Sequence, residues 1–551
     1  MKLTGSQILL ECLKEQGVDT VFGFPGGAVL YIYDELFKQL DHFTHILTSH
    51  EQGASHAADA YSRSTGKTGV VIATSGPGAT NLVTGIATAY MDSIPMIAIT
   101  GNVPCGLLGK DSFQEVDVAG VTAPVTKHNY IVKDVTKLAD VIREAFYIAN
   151  EGRPGPVLID IPKDVSNLPA EYEYKAPRQI VRRSKDIKTS DIDEAIAMIK
   201  AAKKPYIFAG GGVTLSEAKD EAVKFAELCD APVTCSLMAM GGFPGQHELY
   251  TGMIGMHGTK ASNIGVQKCD LLIAIGARFS DRVTGNPEKF ARGAKILHID
   301  IDPAEINKNV IVDHFIIGDV KEVLTRLNDN LEQQSNDDWR QEIDKISNDF
   351  PLVYPDGLTG QLAIETLYKL TKGDAIITTE VGQHQMWASQ YYLFKDPKMF
   401  LTSGGLGTMG YGTGAALGAQ AGNPDKLVVN IAGDGSFRMN LNEMITAARY
   451  DLPIKVLVIN NSVLGMVRQW QTIFYDERYS FTHLGDINYD ALALAFGCKN
   501  FNITTKADLE PTMKEALETP GPVIINVVID KDEMVYPMVA PGAPIDDLIT
   551  E

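Results

Sequence analysis

No uncharged apolar run in this chain approaches the roughly 18 residues that a membrane span requires. A secretory pattern is lacking too. Ile8, Leu9, Cys12 and Leu13 alternate with Glu11, Lys14 and Glu15, the pattern of an amphipathic helix. The expected location is therefore the cytoplasm, or an organelle if a transit segment has been lost. Cysteine is scarce. Cys12, Cys105, Cys229, Cys235, Cys269 and Cys498 contain no C-x-x-C pair, are too sparse for a disulfide framework, and are expected as reduced, buried small hydrophobes. Positive charge is in the minority: 49 Lys and Arg face 69 Asp and Glu, a formal net charge of −20. That balance repels polyanions, so neither nucleic acid nor an anionic membrane is an expected partner. An anionic small molecule would need a site neutralised locally by metal, backbone amides or a few basic residues.

At 551 residues, with 45% hydrophobic and 21% charged, the chain has a soluble globular composition and is too long for one core. Short β-branched runs recur, each followed by a turn signal and a helical pattern: Val70–Ala73, Val157–Asp160, Leu271–Ala274, Leu427–Asn430 and Val456–Ile459. Continuous apolar strands alternating with helices predict an α/β fold of doubly wound parallel sheets, with functional residues just beyond the strands' carboxyl ends. Two aperiodic or polar seams, about 166–190 and 328–349, leave three units at 1–165, 185–330 and 355–530, then a tail at 531–551. The second seam reads as a connector or an exposed helix. Pro154-Gly155-Pro156-Val157-Leu158-Ile159-Asp160 is echoed by Pro520-Gly521-Pro522-Val523-Ile524-Ile525-Asn526. Two copies of one domain plan would give this echo, and so would the ordinary use of Pro-Gly-Pro to enter a strand.

The sharpest local signal is Gly433-Asp434-Gly435-Ser436 after a strand. A helical stretch at about 441–450 follows, then a second strand ending in Asn460-Asn461, 27 residues beyond Asp434. Asp434 and Asn461 offer the hard oxygen ligands Mg²⁺ prefers, and Mg²⁺ completes its shell with phosphate oxygens and water. The flanking glycines let backbone amides approach a diphosphate closely. A lone Gly-Asp-Gly is an ordinary turn. At this spacing from Asn-Asn it resembles the metal–diphosphate motif of thiamine-diphosphate enzymes. Glu51, in Ser49-His50-Glu51-Gln52-Gly53-Ala54, would by itself read as a solvated charge. In that family a glutamate hydrogen-bonds a nitrogen of the cofactor's aminopyrimidine ring. Such a carboxyl is expected to be largely buried among apolar groups, and Glu51 follows the apolar run Ile46-Leu47.

The resemblance extends over nearly the whole chain and is to the large catalytic subunits of acetohydroxyacid (acetolactate) synthases. It runs through Phe24-Pro25-Gly26-Gly27-Ala28, Thr74-Ser75-Gly76-Pro77-Gly78, Ser112-Phe113-Gln114-Glu115 and Asp160-Ile161-Pro162-Lys163-Asp164. It continues through Gly276-Ala277-Arg278-Phe279-Ser280-Asp281-Arg282, Gly382-Gln383-His384 and Gly404–Gly410 to Leu464–Gln471. The resemblance implies thiamine diphosphate, Mg²⁺ and a non-redox FAD as cofactors. It implies pyruvate and 2-ketobutyrate as substrates, a homodimer or homotetramer, and a possible regulatory small subunit.

By the same resemblance, Glu51, Gly27, Gln114 and Lys163 are the catalytic set. Gly27 lends a backbone amide to the reacting oxygen, and Phe113, Gln114 and Lys163 line an entrance contributed by the neighbouring subunit. Asp434, Asn461 and Val463 hold the metal. Gly382, Gln383, His384, Gly407, Met409, Gly433, Gly435, Ser436 and Met466 hold thiamine diphosphate, with Met409 wedged beneath it. Met466 and Trp470, four apart and so on one helix face, bound the acceptor keto acid. Arg153, Met256, Arg278, Asp281 and Arg282 are the FAD positions. The central unit has glycine loops but no G-x-G-x-x-G, and Ser280 stands where the family commonly has a second aspartate. A pyruvate oxidase-like flavoenzyme, an FAD-free acetolactate synthase and a non-catalytic binding subunit are the alternative readings.

Overall fold

A computed structural model of the chain describes residues 1–180 and 187–550. The seam expected over 166–190, and the start of the second unit within it, include residues 181–186, which lie outside the described residues.

Three six-stranded sheets, each parallel throughout, organise the described residues. The first orders its strands Thr44–Leu47, Thr20–Phe24, Gly69–Ala73, Met96–Asn102, Pro156–Pro162 and His128–Ile131. The last orders Phe400–Leu401, Ile376–Thr379, Val428–Gly433, Lys455–Asn460, Val523–Val528 and Lys499–Ile503. Numbered within its own unit, each sheet reads 2-1-3-4-6-5. The central sheet runs Tyr250–Met253, Val233–Cys235, Pro205–Ala209, Leu271–Ile275, Lys295–Asp300 and His314–Ile317. It therefore reads 3-2-1-4-5-6, the order of a dinucleotide-binding sheet. Central strands such as Val70–Ala73 and Leu271–Ile275 are buried at every position, which is why they read as unbroken apolar runs. The Pro-Gly-Pro echo has a structural basis: Pro156 and Val523 each open the sixth strand of their unit.

The helix expected at about 441–450 is present as Glu443–Arg449, and a further short helix, Asp434–Asn440, precedes it. The polar seam at 328–349 contains the helix Asp337–Asp349, and that helix is docked. Trp339 and Ile343 are buried, and the Trp339 indole N–H donates to the Pro205 carbonyl at 2.9 Å. Two apolar anchors suffice to seat an otherwise polar helix, and two anchors are too few to show as periodicity.

The first and third units meet along the helices Glu51–Thr65 and Tyr411–Gly422, whose contact surface is made of Gly53, Ala57, Gly414 and Gly418. At one end of this contact Arg63 is buried between Asp59 (2.7 Å) and Asp92 (2.9 Å), and Tyr411 Oη donates to Asp59 at 2.6 Å. Buried ions are stable only when paired and hydrogen-bonded, and these are. The tail lies along the central unit. Val539 N–H donates to the Met256 carbonyl, Asn263 Nδ2 donates to the Ile545 carbonyl, and Ile545 is buried.

Candidate active site

The third sheet brings Asp434 and Asn461 together because their strands, Val428–Gly433 and Lys455–Asn460, are neighbours, with Gly433 opposite Ile459. Asp434 opens a helix, is 1% exposed, and neither carboxylate oxygen has a hydrogen-bond partner. Burial pushes its carboxyl up to about 6, and Arg438, 3.8 Å away, opposes that. A buried carboxylate with both oxygens free is costly and suits a cation. Asn461 is buried beside it. Its Nδ2 donates to Gln383 Oε1 at 3.2 Å and its Oδ1 accepts the Val463 N–H at 3.3 Å, so the 461–463 turn is folded on itself. One carboxylate, one amide and the Val463 carbonyl fit Mg²⁺, which takes its remaining ligands from phosphate and water.

Around this centre the backbone is laid bare. Gly382 has φ +151, and a Cβ there would stand 2.9 Å from the His384 ring. A Cβ on Gly433 would meet the same ring, and one on Gly435 would meet Leu464 and Leu484. His384 Nε2 is buried and unpartnered, and burial lowers the imidazole to about 3, so it stays neutral. Gln383 is turned inward: its Nε2 donates to Gln469 Oε1 and to the Glu533 carbonyl, so its side chain orients Asn461. The Ser436 hydroxyl donates to Glu380, a buried carboxylate that also accepts from Gly410 N–H and Thr413. Met409, half-buried, lies between Gly407 and Gly410, both at positive φ (+70 and +89).

A cleft of about 750 Å³ opens beside this region. It is lined by Arg153, Met256, Arg278, Asp281 and Arg282, by Ser280, and by Gly382, Gly407, Met466 and Trp470. Its floor is the switch point of the central sheet, between the strands Pro205–Ala209 and Leu271–Ile275. There Gly212 and Gly276 approach so closely that a Cβ on Gly212 would stand 2.6 Å from the Gly276 Cα. Arg278 has no carboxylate partner among the described residues, and burial lowers its guanidinium, with Arg153 adding to the effect. A half-buried, unpaired cation over bare glycine backbone fits a dinucleotide pyrophosphate. Arg153 differs: Asp302 and Glu305 hold it at 3.2 and 2.8 Å. Met466 and Trp470 share the cleft face of helix Gly465–Phe474.

Glu51, Gly27, Phe113, Gln114 and Lys163 lie elsewhere. All five follow strands of the first sheet at its carboxyl edge, and none lines the cleft. Gly27 faces open space, with nothing within 4 Å of a Cβ. Glu51 Oε2 accepts from Asn81 Nδ2 at 2.9 Å. Glu51 is half-buried in the isolated chain, short of the burial expected for it, because it sits at the open start of its helix. Phe113 is 87% exposed, and Gln114 has φ +59. Lys163 begins a short helix and makes no ion pair among the described residues.

Glu380, Gln469 and the Arg63–Asp92 pair also shape this site, and sequence reasoning passed over them. Asp92 caps the Gly404 and Gly405 amides at the cleft wall. Glu380 stands at a strand's carboxyl end, a position that flags it; the others carry no local signal.

Three family models match in succession: the N-terminal binding domain of thiamine pyrophosphate enzymes over 3–121, their central domain over 192–327, and their C-terminal binding domain over 380–527. The chain is 47% identical to the acetolactate synthase large subunit of Porphyra purpurea, over 98% of this chain and 94% of that one. It is 48% identical to the large subunit of Corynebacterium glutamicum, over 99% and 90%. The chain belongs to the acetolactate synthase large-subunit family. Within that family it is also similar to the chloroplastic acetolactate synthase of Arabidopsis thaliana, at 45% identity over 99% of this chain and 84% of that one. The family's two thiamine pyrophosphate-binding domains correspond to the two sheets of identical strand order, and its central domain to the dinucleotide-type sheet.

Proposed function

We propose that this chain is the catalytic subunit of an acetolactate synthase. It decarboxylates pyruvate and joins the remaining two-carbon unit to pyruvate or 2-ketobutyrate. The products, 2-acetolactate and 2-aceto-2-hydroxybutyrate, lead to branched-chain amino acids. The full-length likeness supports the family, and the observation that carries the site is the buried, unpartnered Asp434 carboxylate beside Asn461.

Thiamine diphosphate, when bound, supplies the electron sink for loss of carbon dioxide and for carbon–carbon bond formation. Asp434, Asn461 and the Val463 carbonyl hold Mg²⁺, with Gln383 fixing the Asn461 amide. Bare backbone at Gly382, Gly433 and Gly435, with neutral His384, receives the diphosphate. Glu380 holds the Ser436 and Gly410 segments in place, and through Gly410 it fixes the segment of Met409, which would help hold the cofactor. Glu51 holds a proton at the aminopyrimidine ring. The Gly27 amide, in open space, serves the oxygen that gains charge. Lys163, unpaired, attracts the keto acid's carboxylate, and Phe113 and Gln114 border the entrance. Trp470 and Met466 bound the acceptor. FAD occupies the large cleft as a structural, non-redox group. Glu51 and the Asp434–Asn461 centre follow strands of different sheets, and on this reading the active form is at least a homodimer, with each site shared between two chains. A separate small regulatory subunit accompanies it, as the relatives' designation as large subunits suggests. None of the described helices is long and apolar enough to cross a membrane, and a cytoplasmic location fits the composition.

The test is product formation by the purified chain with pyruvate, omitting each cofactor in turn. Acetolactate that requires thiamine diphosphate, Mg²⁺ and FAD supports the reading. Acetyl phosphate or reduced flavin contradicts it, and acetolactate made without FAD contradicts the flavin assignment.

A further inference from the structure

The turn that leads into the Glu51 helix is clasped by the third unit. Glu443, which opens the helix Glu443–Arg449, is fully buried. Its Oε1 accepts the His50 N–H at 2.9 Å. Its Oε2 accepts the Ser49 N–H at 3.1 Å and the Thr446 hydroxyl at 2.8 Å. The same unit takes up the neighbouring groups: Tyr450 Oη accepts the Leu47 N–H at 2.9 Å, and Ser49 Oγ donates to the Asn442 carbonyl at 3.1 Å. Gly53, half a turn beyond Glu51, makes room for this, since a Cβ there would press into the Glu443 carboxylate.

A helix end needs no such arrangement. The Glu51–Thr65 helix already has its cap, His50 Nδ1 accepting from Gln52 N–H at 3.0 Å. Surface caps contribute about 1 kcal/mol and need no buried charge. Here a carboxylate is buried without any lysine or arginine partner among the described residues, and it stands close enough to Glu51 for like-charge repulsion. Burial pushes the Glu443 carboxyl up, and Glu51 adds to that. The other ionisable groups around the pair are His50 and Tyr33 of the first unit and Tyr450 of the third, with Tyr33 Oη engaged by His45 Nε2 at 3.1 Å. Glu443 also follows Asp434 by nine residues, so one short stretch carries both the metal ligand and the clasp.

We propose that Glu443 is a positioning residue for Glu51: by accepting the Ser49 and His50 amides it fixes the first turn of the Glu51 helix, and with it the carboxyl that holds the cofactor's proton. The inference rests on the role given to Glu51 above. Glu443 therefore governs where the Glu51 carboxyl points.

The experiment compares wild type, Glu443→Gln, Glu443→Asp and Glu51→Gln as full-length protein loaded with thiamine diphosphate and Mg²⁺. Deuterium uptake at the cofactor's C2 is followed from about pH 5 to about pH 8. Amide exchange of residues 47–54 is measured separately in cofactor-free protein. Glu443→Gln is expected to slow C2 exchange by about tenfold or more, with KM for pyruvate nearly unchanged. Glu443→Asp, which keeps an acceptor for the two amides, should slow exchange less. Both should raise amide exchange at 47–54. If Glu443→Gln does not fold, Gly53→Ala displaces the same carboxylate from the other side and is expected to slow C2 exchange likewise. Loss of exchange in Glu51→Gln alone, with wild-type rates in the Glu443 or Gly53 variants, overturns the inference and leaves the Glu51 reading intact. Wild-type exchange in Glu51→Gln overturns both. Slowed turnover that merely tracks lost folded protein, with wild-type C2 exchange per folded chain and no rescue by Glu443→Asp, overturns the inference and reduces Glu443 to a structural residue.

Discussion

Gly418 rests on the carbonyl of Ala57, so closely that a Cβ on Gly418 would stand far inside contact distance of that oxygen. The contact joins the helix that carries Glu51 to the helix that follows Met409. Neither backbone can yield without separating the first and third units. Gly418→Ala is therefore expected to destabilise the folded chain by about 3 kcal/mol. Thermal unfolding followed by circular dichroism would show it as a lower Tm, whereas Gly407→Ala should lower Tm through backbone strain at φ +70, with no collision within 4 Å.

Asp434 sets stability against function. Its two carboxylate oxygens are buried without hydrogen bonds, with only Arg438 at 3.8 Å opposite them, so its desolvation cost is poorly offset in the cofactor-free chain and its removal relieves that cost. Asp434→Ala should leave the Tm of the cofactor-free protein unchanged or higher. It should also weaken Mg²⁺-dependent binding of thiamine diphosphate by about a hundredfold, read by calorimetric titration. A lower Tm together with unchanged binding would remove Asp434 from the metal site.

Glu533 gives a pH dependence of stability. Burial, with Asp530 adding, raises its carboxyl from 4.5 to about 7, while the Gly360 N–H opposes this weakly at 3.4 Å. The folded state thus binds the proton more tightly than the unfolded state. The contribution is fully present below pH 4.5 and is lost as pH rises through about 7. Glu533→Gln should abolish that loss, gaining on the order of 1–2 kcal/mol over wild type at pH 8 and little at pH 4, after allowance for solvent screening. Urea unfolding of both proteins at the two pH values is the check.

Trp470 lines the cleft with Met466, and its ring meets Phe474 edge-on at 5.6 Å. If Trp470 bounds the acceptor as proposed, Trp470→Leu should change the ratio of 2-ketobutyrate to pyruvate used as acceptor by about tenfold, the scale on which a hydrophobic pocket tells such side chains apart. The ratio of the two products from mixed substrates measures it directly.

Much of this architecture can be read from sequence because it is local. The apolar strands fix three parallel sheets, and Gly-Asp-Gly followed by Asn-Asn locates the metal end because both lie at the tips of adjacent strands. Glu443 escapes such reading because the amide it binds lies 393 positions away. Arg63 and Asp92, joined across 29 residues, then to Gly405 across 313, escape it for the same reason. The polar run at 328–349 conceals Trp339, whose partner carbonyl is in another strand. The Pro-Gly-Pro echo is ambiguous as a pattern. It becomes two copies of one plan only when both instances are seen to open the sixth strand of identical sheets.

The central claim is that Glu51 and the Asp434–Asn461 centre serve one reaction from two different chains. Complementation between Glu51→Gln and Asp434→Ala tests it most directly. Each variant alone should make almost no acetolactate. Refolded together, the mixture should regain about a quarter of wild-type activity, since about half the dimers are mixed and each mixed dimer holds one intact site of its two. No recovery, in mixed dimers confirmed by mass spectrometry, would mean that each chain builds its site alone, and would contradict the account.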